Sequence, residues 1–344
     1  MNLEILNPIE YADWDSLLLR NGDFSFFHSS FWATVLKESY GYAPVYFVSI
    51  VGGRLSLVMP FMNVFSPITG RRGVSLPFTD QCAPYYLRKG LLGTAVERAI
   101  NYGKKVGWKY IEWRDANYFS EEEPSPWEVY YTHDLNLKKT ESELFSSLKD
   151  NNRRNINKAI REGVSINISR SSGALKSFYR LNCMTRKRHG LPPQPFLFFK
   201  NVFDFVISKG YGIVVSAIHS NCIIAASVFF HFGTTGIFKY GASDIRHQNL
   251  RPNNLLMWES IRWYRNQGYE TLNFGRTEFD NHGLLRFKRL WGAIESPLKY
   301  YRYDCKKKIY LQNRQRTEFP KKIFLRTPVG ILRLLGKISY KHIG

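Results

Sequence analysis

The chain has 344 residues, of which 44% are hydrophobic and 16% aromatic, enough apolar material for substantial cores, and this excludes a disordered chain. Four dispersed cysteines, Cys82, Cys183, Cys222 and Cys305, form no C-x-x-C pair, which excludes a disulfide scaffold and a cysteine-based zinc site and suits a reducing cytoplasm. The net charge of +21 is unevenly spread: residues 1–150 carry 15 Lys+Arg against 18 Asp+Glu, and residues 151–344 carry 34 against 10. The second half therefore attracts nucleic acid, anionic lipid or phosphate-bearing substrates.

The acidic opening "MNLEILNPIEYADWD" lacks the apolar core of a signal peptide. No run approaches the roughly 18 apolar residues of a membrane-spanning helix. Next, "VYFVSIVGGRLSLVMPFMN" predicts a β-hairpin turning at Gly52-Gly53. The helical stretch "LLGTAVERAINYGKKVG" follows, closed by Gly107, and leads into the strands "WKYIEWRDA" and "VYYTHDLNL".

At mid-chain, "TESELFSSLKDNNRRNINKAIREG" predicts a basic helix over 141–162. Thr140 and Glu143 have capping-box spacing, and Gly163 ends the helix.

The second half repeats the order of the first. "YGIVVSAIHSNCIIAASVFFHFG" is a hairpin turning at Ser220-Asn221, and "GIFKYGASD" adds a strand. "PNNLLMWESIRWYRNQG" is a helix with Pro252 in its first turn and Gly268 at its end. It leads into the strands "YETLNFGRT" and "PLKYYRYD". Two copies of one α/β unit, each a mixed twisted sheet with flanking helices, is the economical reading. The expected division is a first domain at 1–140, a connecting basic helix at 141–162, a second domain at 163–305 and a tail at 306–344.

The tail is rich in Lys and Arg with a single acid, Glu318. Residues 321–344 suit either a basic amphipathic segment lying on an anionic membrane or a helix packed on its own domain with a solvated basic face. The expected location is the cytoplasm, with peripheral attachment to the inner face of the cell membrane in the first case.

Common catalytic signatures are absent: there is no G-x-S-x-G elbow, no G-x-x-x-x-G-K-[ST] loop and no G-x-G-x-x-G turn. The eight histidines show no metal-ligand spacing, so no metal is expected. The positive signal is "FKYGASDIRHQNLRPNNLLMWESIRW", which runs strand, polar loop, helix. The free N–H groups at the start of that helix, with Arg246, His247 and Arg251 before it, make an anion-compatible corner. The second signal is "NFGRTEFDNHGLLRFKRLWGA", where Lys288 stands between large apolar residues. It suits either a solvated helix face or a site that needs one fixed positive charge.

Four stretches, "FHSSFWATVLKESYGY", "NNRRNINKAIREGV", "RPNNLLMWE" and "GLLRFKRLWGA", resemble the FemABX family of peptidoglycan-bridge aminoacyltransferases and its wider FemAB-related group. The resemblance implies two tandem GNAT-like domains of the acyl-CoA N-acyltransferase type. It also implies transfer of an amino acid from aminoacyl-tRNA to an amine on a lipid- or nucleotide-linked cell-wall precursor. Carried residue by residue, it implies an oxyanion-stabilising role for Lys288 beside Phe287, with Tyr240 facing the same cleft. Arg188 and Lys37 fall to acceptor phosphate. No cofactor is implied, since aminoacyl-tRNA or acyl-CoA would be a co-substrate. The loop "IRHQNLRPNN" departs from the glycine-containing pyrophosphate loop of ordinary GNAT enzymes, which disfavours CoA. Two alternatives stay open: N-acylation of a surface polysaccharide precursor from acyl-CoA or acyl-carrier protein, and an RNA-binding module, although no RNP-like or GXXG signature is present.

Overall fold

In the computed structural model, residues 3–22, 24–115, 124–312 and 321–344 are described. The Glu318 and Pro320 region of the tail lies outside them. The chain forms two compact units. One comprises Met1–Tyr131, Pro297–Thr317 and Ser339–Gly344, and the other Thr132–Ser296 and Glu318–Ile338.

In the first unit the expected hairpin joins Ala43–Val51 to Arg54–Ser66. Gly52 and Gly53 both have positive φ (57° and 74°), as a two-residue type I′ turn requires. Glu4–Leu6 flanks the hairpin on one side and Gly70–Val74 on the other, both antiparallel. The helix Lys89–Val106 then crosses over to Tyr110–Arg114, which lies parallel to Gly70–Val74. The core gathers the inward residues of these strands, Phe47, Leu57, Phe61 and Trp113, under Ala95 and Ala99 of the helix.

The second unit repeats this plan. The hairpin Gly212–His219/Cys222–Phe232 turns on Ser220 and Asn221, with φ of 47° and 61°. Ser165–Ser169 and Thr235–Ser243 flank it, antiparallel. The helix Pro252–Asn266 crosses to Thr271–Asn273, parallel to the start of Thr235–Ser243. A close approach recurs in both copies: a Cβ at Gly73 would meet the Trp108 ring at 2.3 Å, and one at Gly236 the Tyr264 ring at 2.6 Å. The duplication read in the sequence is present, and the fold is a tandem of GNAT-like mixed sheets.

The unit bounds differ from the contiguous division. The strand Glu128–Asn136 gives its last part, Asp134–Asn136, to Thr271–Asn273 of the second unit. The first unit completes its sheet with Tyr300–Asp304, which pairs antiparallel with Tyr110–Arg114. The first unit thus takes its final strand from beyond the second in sequence, and the second takes the end of the strand that immediately precedes it. The helix expected over 141–162 is two, Glu141–Ser147 and Asp150–Arg161. Extended Leu148 breaks it (φ −65°, ψ 142°), after the capping box of Thr140 and Glu143. It is no linker, because Leu144, Leu148, Ile156 and Ala159 enter the second core.

The tail is likewise divided. Ser339–Gly344 belongs to the first unit, where Arg72 donates to the carbonyls of Gly344 (2.7 Å) and His342 (2.8 Å). The residues up to Ile338 belong to the second, where the Arg333 guanidinium lies over the Tyr179 ring.

Candidate active site

The second unit contains a gap between two strands that start as neighbours. Thr235–Ser243 pairs along its length with the hairpin strand before it. On its other edge the pairing with Thr271–Asn273 runs only from Thr235 to Ile237. A bulge at Lys239, between the pairs Phe229↔Phe238 and Val228↔Tyr240, bends the first arm. The second arm ends in a side-chain turn: Asn273 Oδ1 accepts from the Gly275 N–H at 2.8 Å. Its Nδ2 donates to Thr132 Oγ1 (2.8 Å) and Asp134 Oδ1 (2.7 Å). Gly275 has φ +70°, the left-handed conformation that glycine adopts without strain.

Lys288 closes on this second arm. It lies on the helix His282–Arg289, capped by Asn281, whose side chain accepts from the Leu284 N–H. Its side chain is buried, and Nζ donates to the carbonyls of Gly275 (2.7 Å) and Arg276 (3.1 Å). The solvated-helix alternative for Lys288 is therefore excluded. Phe287 beside it is half-buried and meets the buried Trp291 ring edge-on at 6.0 Å. Tyr240 stands on the first arm, past the parting point, half-buried among Phe178, Phe198, Phe199 and Phe230. The Lys239 ammonium lies 5.5 Å from its ring centroid.

Around Lys288 runs a charged set that the sequence reading did not single out. His133 Nε2 is 3.0 Å from Glu295 Oε2, and Glu295 is gripped by Arg289 through Nε (2.8 Å) and Nη2 (2.7 Å). Burial, and then the Lys288 charge, hold the His133 pKa below the usual imidazole range. The Arg289 hydrogen bonds hold Glu295 below the usual carboxylate range. The strand "VYYTHDLNL" alternates polar and apolar residues, which signals a strand but not that His133 faces inward.

The substrate-binding expectations divide. Arg188 ends the helix Ser172–Arg188, half-buried, one turn after Thr185, whose Oγ1 is 3.3 Å from the Ser243 N–H at the tip of the first arm. Arg246 is ion-paired with Asp244 through Nε (3.1 Å) and Nη2 (2.6 Å), so its charge is largely answered in place. Arg251 is exposed, in the left-handed conformation at the start of the helix Pro252–Asn266. Lys37 is exposed in the last turn of Ser30–Tyr40 in the first unit, so it is not grouped with these arginines within one unit.

The loop expected to meet phosphate is itself folded, as the 3-10 helix Ile245–Leu250. Its N–H groups are committed locally: Arg246 N–H to Asp244 Oδ1, His247 N–H to the Asp244 carbonyl and Arg251 N–H to the Gln248 carbonyl. Such a loop does not offer the row of N–H groups that cradles a pyrophosphate.

The equivalent gap in the first unit is filled. Beyond Val74 the chain stays on the strand Tyr110–Arg114, with Ser75 N–H on the Glu112 carbonyl and Cys82 N–H on the Arg114 carbonyl. Arg114 Nη1 ties the loop down at the carbonyls of Leu76 and Thr79. Leu76 and Phe78 take positive φ (51° and 61°) to fit there.

The family model for the GNAT acetyltransferase domain matches residues 146–289, which contain the open gap and Lys288. The lipid II:glycine glycyltransferase of Staphylococcus haemolyticus is 20% identical over 230 residues, covering 46% of this chain and 55% of that protein. The enzyme of the same name from Staphylococcus epidermidis is 20% identical over 227 residues, covering 46% and 54%. The chain spans about half the length of the curated relatives it matches. Among solved structures, the crystal structure of FemX superposes with a TM-score of 0.67 at 15% identity, over 87% of this chain and 96% of that one. These comparisons show a GNAT-type domain at residues 146–289 and a fold shared with FemX. A tandem GNAT protein from the clavulanic acid pathway shares the FemABX-like fold with a TM-score of 0.54 at 9% identity, over 88% and 98%. Among the described residues, no cluster of His, Cys, Asp and Glu could hold a metal ion, and no helix is long and apolar enough to cross a membrane.

Proposed function

We propose that this chain is an aminoacyltransferase that forms an amide on an amine of a lipid- or nucleotide-linked peptidoglycan precursor, with aminoacyl-tRNA as donor. The observation that carries this reading is Lys288: a buried ammonium set at the parting of two strands in a GNAT-type unit whose expected phosphate loop is closed on itself. The similarity to staphylococcal lipid II:glycine glycyltransferases supports the acceptor class. The closed loop Ile245–Leu250 supports a donor other than CoA.

The reaction needs little more than positioning and charge. The acceptor amine nitrogen attacks the carbonyl carbon of the aminoacyl ester, and the carbonyl electron pair moves to oxygen. The tetrahedral oxyanion collapses to the amide and expels the ribose oxygen, which takes up the proton that the amine loses, directly or through water. A Lys288 N–H aimed at that oxyanion stabilises the transition state more than the neutral ester. Phe287 and Trp291 keep water from the lysine stem. Arg188 supplies charge for an acceptor phosphate.

A membrane-bound acceptor fits the helix Val329–Ile343. Leu332, Gly336 and Tyr340 are buried, while Ile331, Leu334, Leu335 and Ile338, at helical spacing, are exposed with Arg333, Lys337 and Lys341 around them. This is the pattern of an interfacial segment on an anionic bilayer.

The test is transfer of labelled glycine from glycyl-tRNA to lipid II, run beside acetyl-CoA with the same acceptor. Amide formation from the tRNA donor alone is expected. Transfer from acetyl-CoA alone would replace this reading with an acyl-CoA N-acyltransferase.

A further inference from the structure

We infer that His133 is a positioning residue of Lys288: its imidazole, anchored through Nε2 to Glu295, braces Arg289 next to the lysine, and its carbonyl holds the turn whose Gly275 and Arg276 carbonyls take the ammonium. The inference rests on the reading of Lys288 as oxyanion donor. The ring is wholly buried. Glu295 lies 3.0 Å from Nε2 and is itself held by two Arg289 bonds, so the ring proton belongs on Nε2 and the lone pair on Nδ1. Nδ1 is buried with no hydrogen-bond partner among the described residues.

The residue grips both supports of Lys288. Through its side chain it meets Glu295, which is held by Arg289, adjacent to Lys288 on the helix. Through its backbone carbonyl it accepts from the Phe274 N–H at 2.9 Å, one residue before Gly275. Its neighbours Thr132 and Asp134 hold the Asn273 amide, which sets the same turn.

The charged groups acting on the ring are Lys288 and Arg289 from the helix and Glu295 from the strand Ile294–Asp304. A protonated ring would place an N–H without an acceptor on the buried Nδ1 and a second positive charge beside the ammonium. Neutral His133 and a fixed Lys288 therefore belong together. Activity should fall on the acid side as the ring titrates. Glu295 favours the imidazolium and Arg289 opposes it, so Glu295→Gln should move the acid limb to lower pH and Arg289→Met to higher pH.

The experiment uses the full-length protein with two readouts. In glycine transfer from glycyl-tRNA to lipid II, His133→Ala should lower kcat roughly 10- to 100-fold with KM little changed, the scale of a displaced catalytic group. His133→Gln, which restores a donor toward Glu295 but cannot titrate there, should recover most of kcat and flatten the acid limb. The second readout needs no turnover. The ¹⁵N ammonium signal of Lys288, identified by its loss in Lys288→Met, should be sharp in the wild type, broadened by exchange in His133→Ala and sharp again in His133→Gln. A folded His133→Ala protein with an unchanged ammonium signal overturns the inference even if no donor is accepted. A wild type that transfers nothing while the signals behave as expected sinks the proposed activity and leaves the positioning role standing.

Discussion

Replacing Lys288 by Met keeps the apolar stem and removes the ammonium. Two of the three ammonium N–H groups are taken by the Gly275 and Arg276 carbonyls at 2.7 and 3.1 Å, so at most one can reach a reacting oxygen. Loss of one such donor costs about 10²–10³ in rate, equivalent to about 2.7–4 kcal/mol in the transition state. The fold should suffer less. The variant loses two hydrogen bonds to a charged group, about 1.5–3 kcal/mol each. It also loses the need to bury an ammonium, a penalty of several kcal/mol in the opposite direction. The two nearly cancel, and the expected change in unfolding free energy is within about 2 kcal/mol. The assay is a single-turnover measurement at saturating acceptor with the donor the wild type uses, next to urea unfolding of both proteins. A folded Lys288→Met protein whose chemical step is within threefold of wild type would refute the oxyanion role and leave the lysine as a purely structural tie.

Arg188→Met should raise KM for a phosphate-bearing acceptor more than it lowers kcat, which steady-state kinetics over a range of acceptor concentrations checks. Leu335→Glu combined with Ile338→Glu should weaken sedimentation with vesicles containing anionic lipid, and wild-type binding should fall with added salt; equal binding by the double variant would discard the helix as an anchor. Stability should fall in acid through His231, whose Nε2 donates to the Gly210 carbonyl at 2.6 Å and whose burial takes its pKa down to about 4. Because the folded value lies below the unfolded one near 6.5, the unfolded chain binds the extra proton, and stability is intact above pH 6.5 and lost on descent toward 4. Urea unfolding at pH 7.5 and 5.0 should differ by about 2 kcal/mol on this account, and His231→Gln should remove most of the difference.

The local devices of both units were legible in the residues: turns that demand positive φ at Gly52-Gly53 and Ser220-Asn221, Pro252 opening one crossover helix, and the glycine-free loop after Asp244. So was the conspicuous lysine at 288, because an amine between Phe287 and Leu290 breaks the helical polarity pattern. These are short-range rules, and a few neighbouring residues suffice to state them. What joins distant residues was decided by tertiary structure. "VYYTHDLNL" and "PLKYYRYD" are both alternating strands with similar side chains, and either could complete either sheet, so the exchange of final strands left no mark in the sequence. That exchange brings His133 into the field of Lys288 across 155 positions and links it through Glu295 to Arg289, next to the lysine. The ion pair that answers Arg246, the placement of Lys37 in the other unit and the filling of the first gap by Ser75–Ala83 likewise depend on side-chain direction and on which edge a loop follows. Pattern alone carries neither.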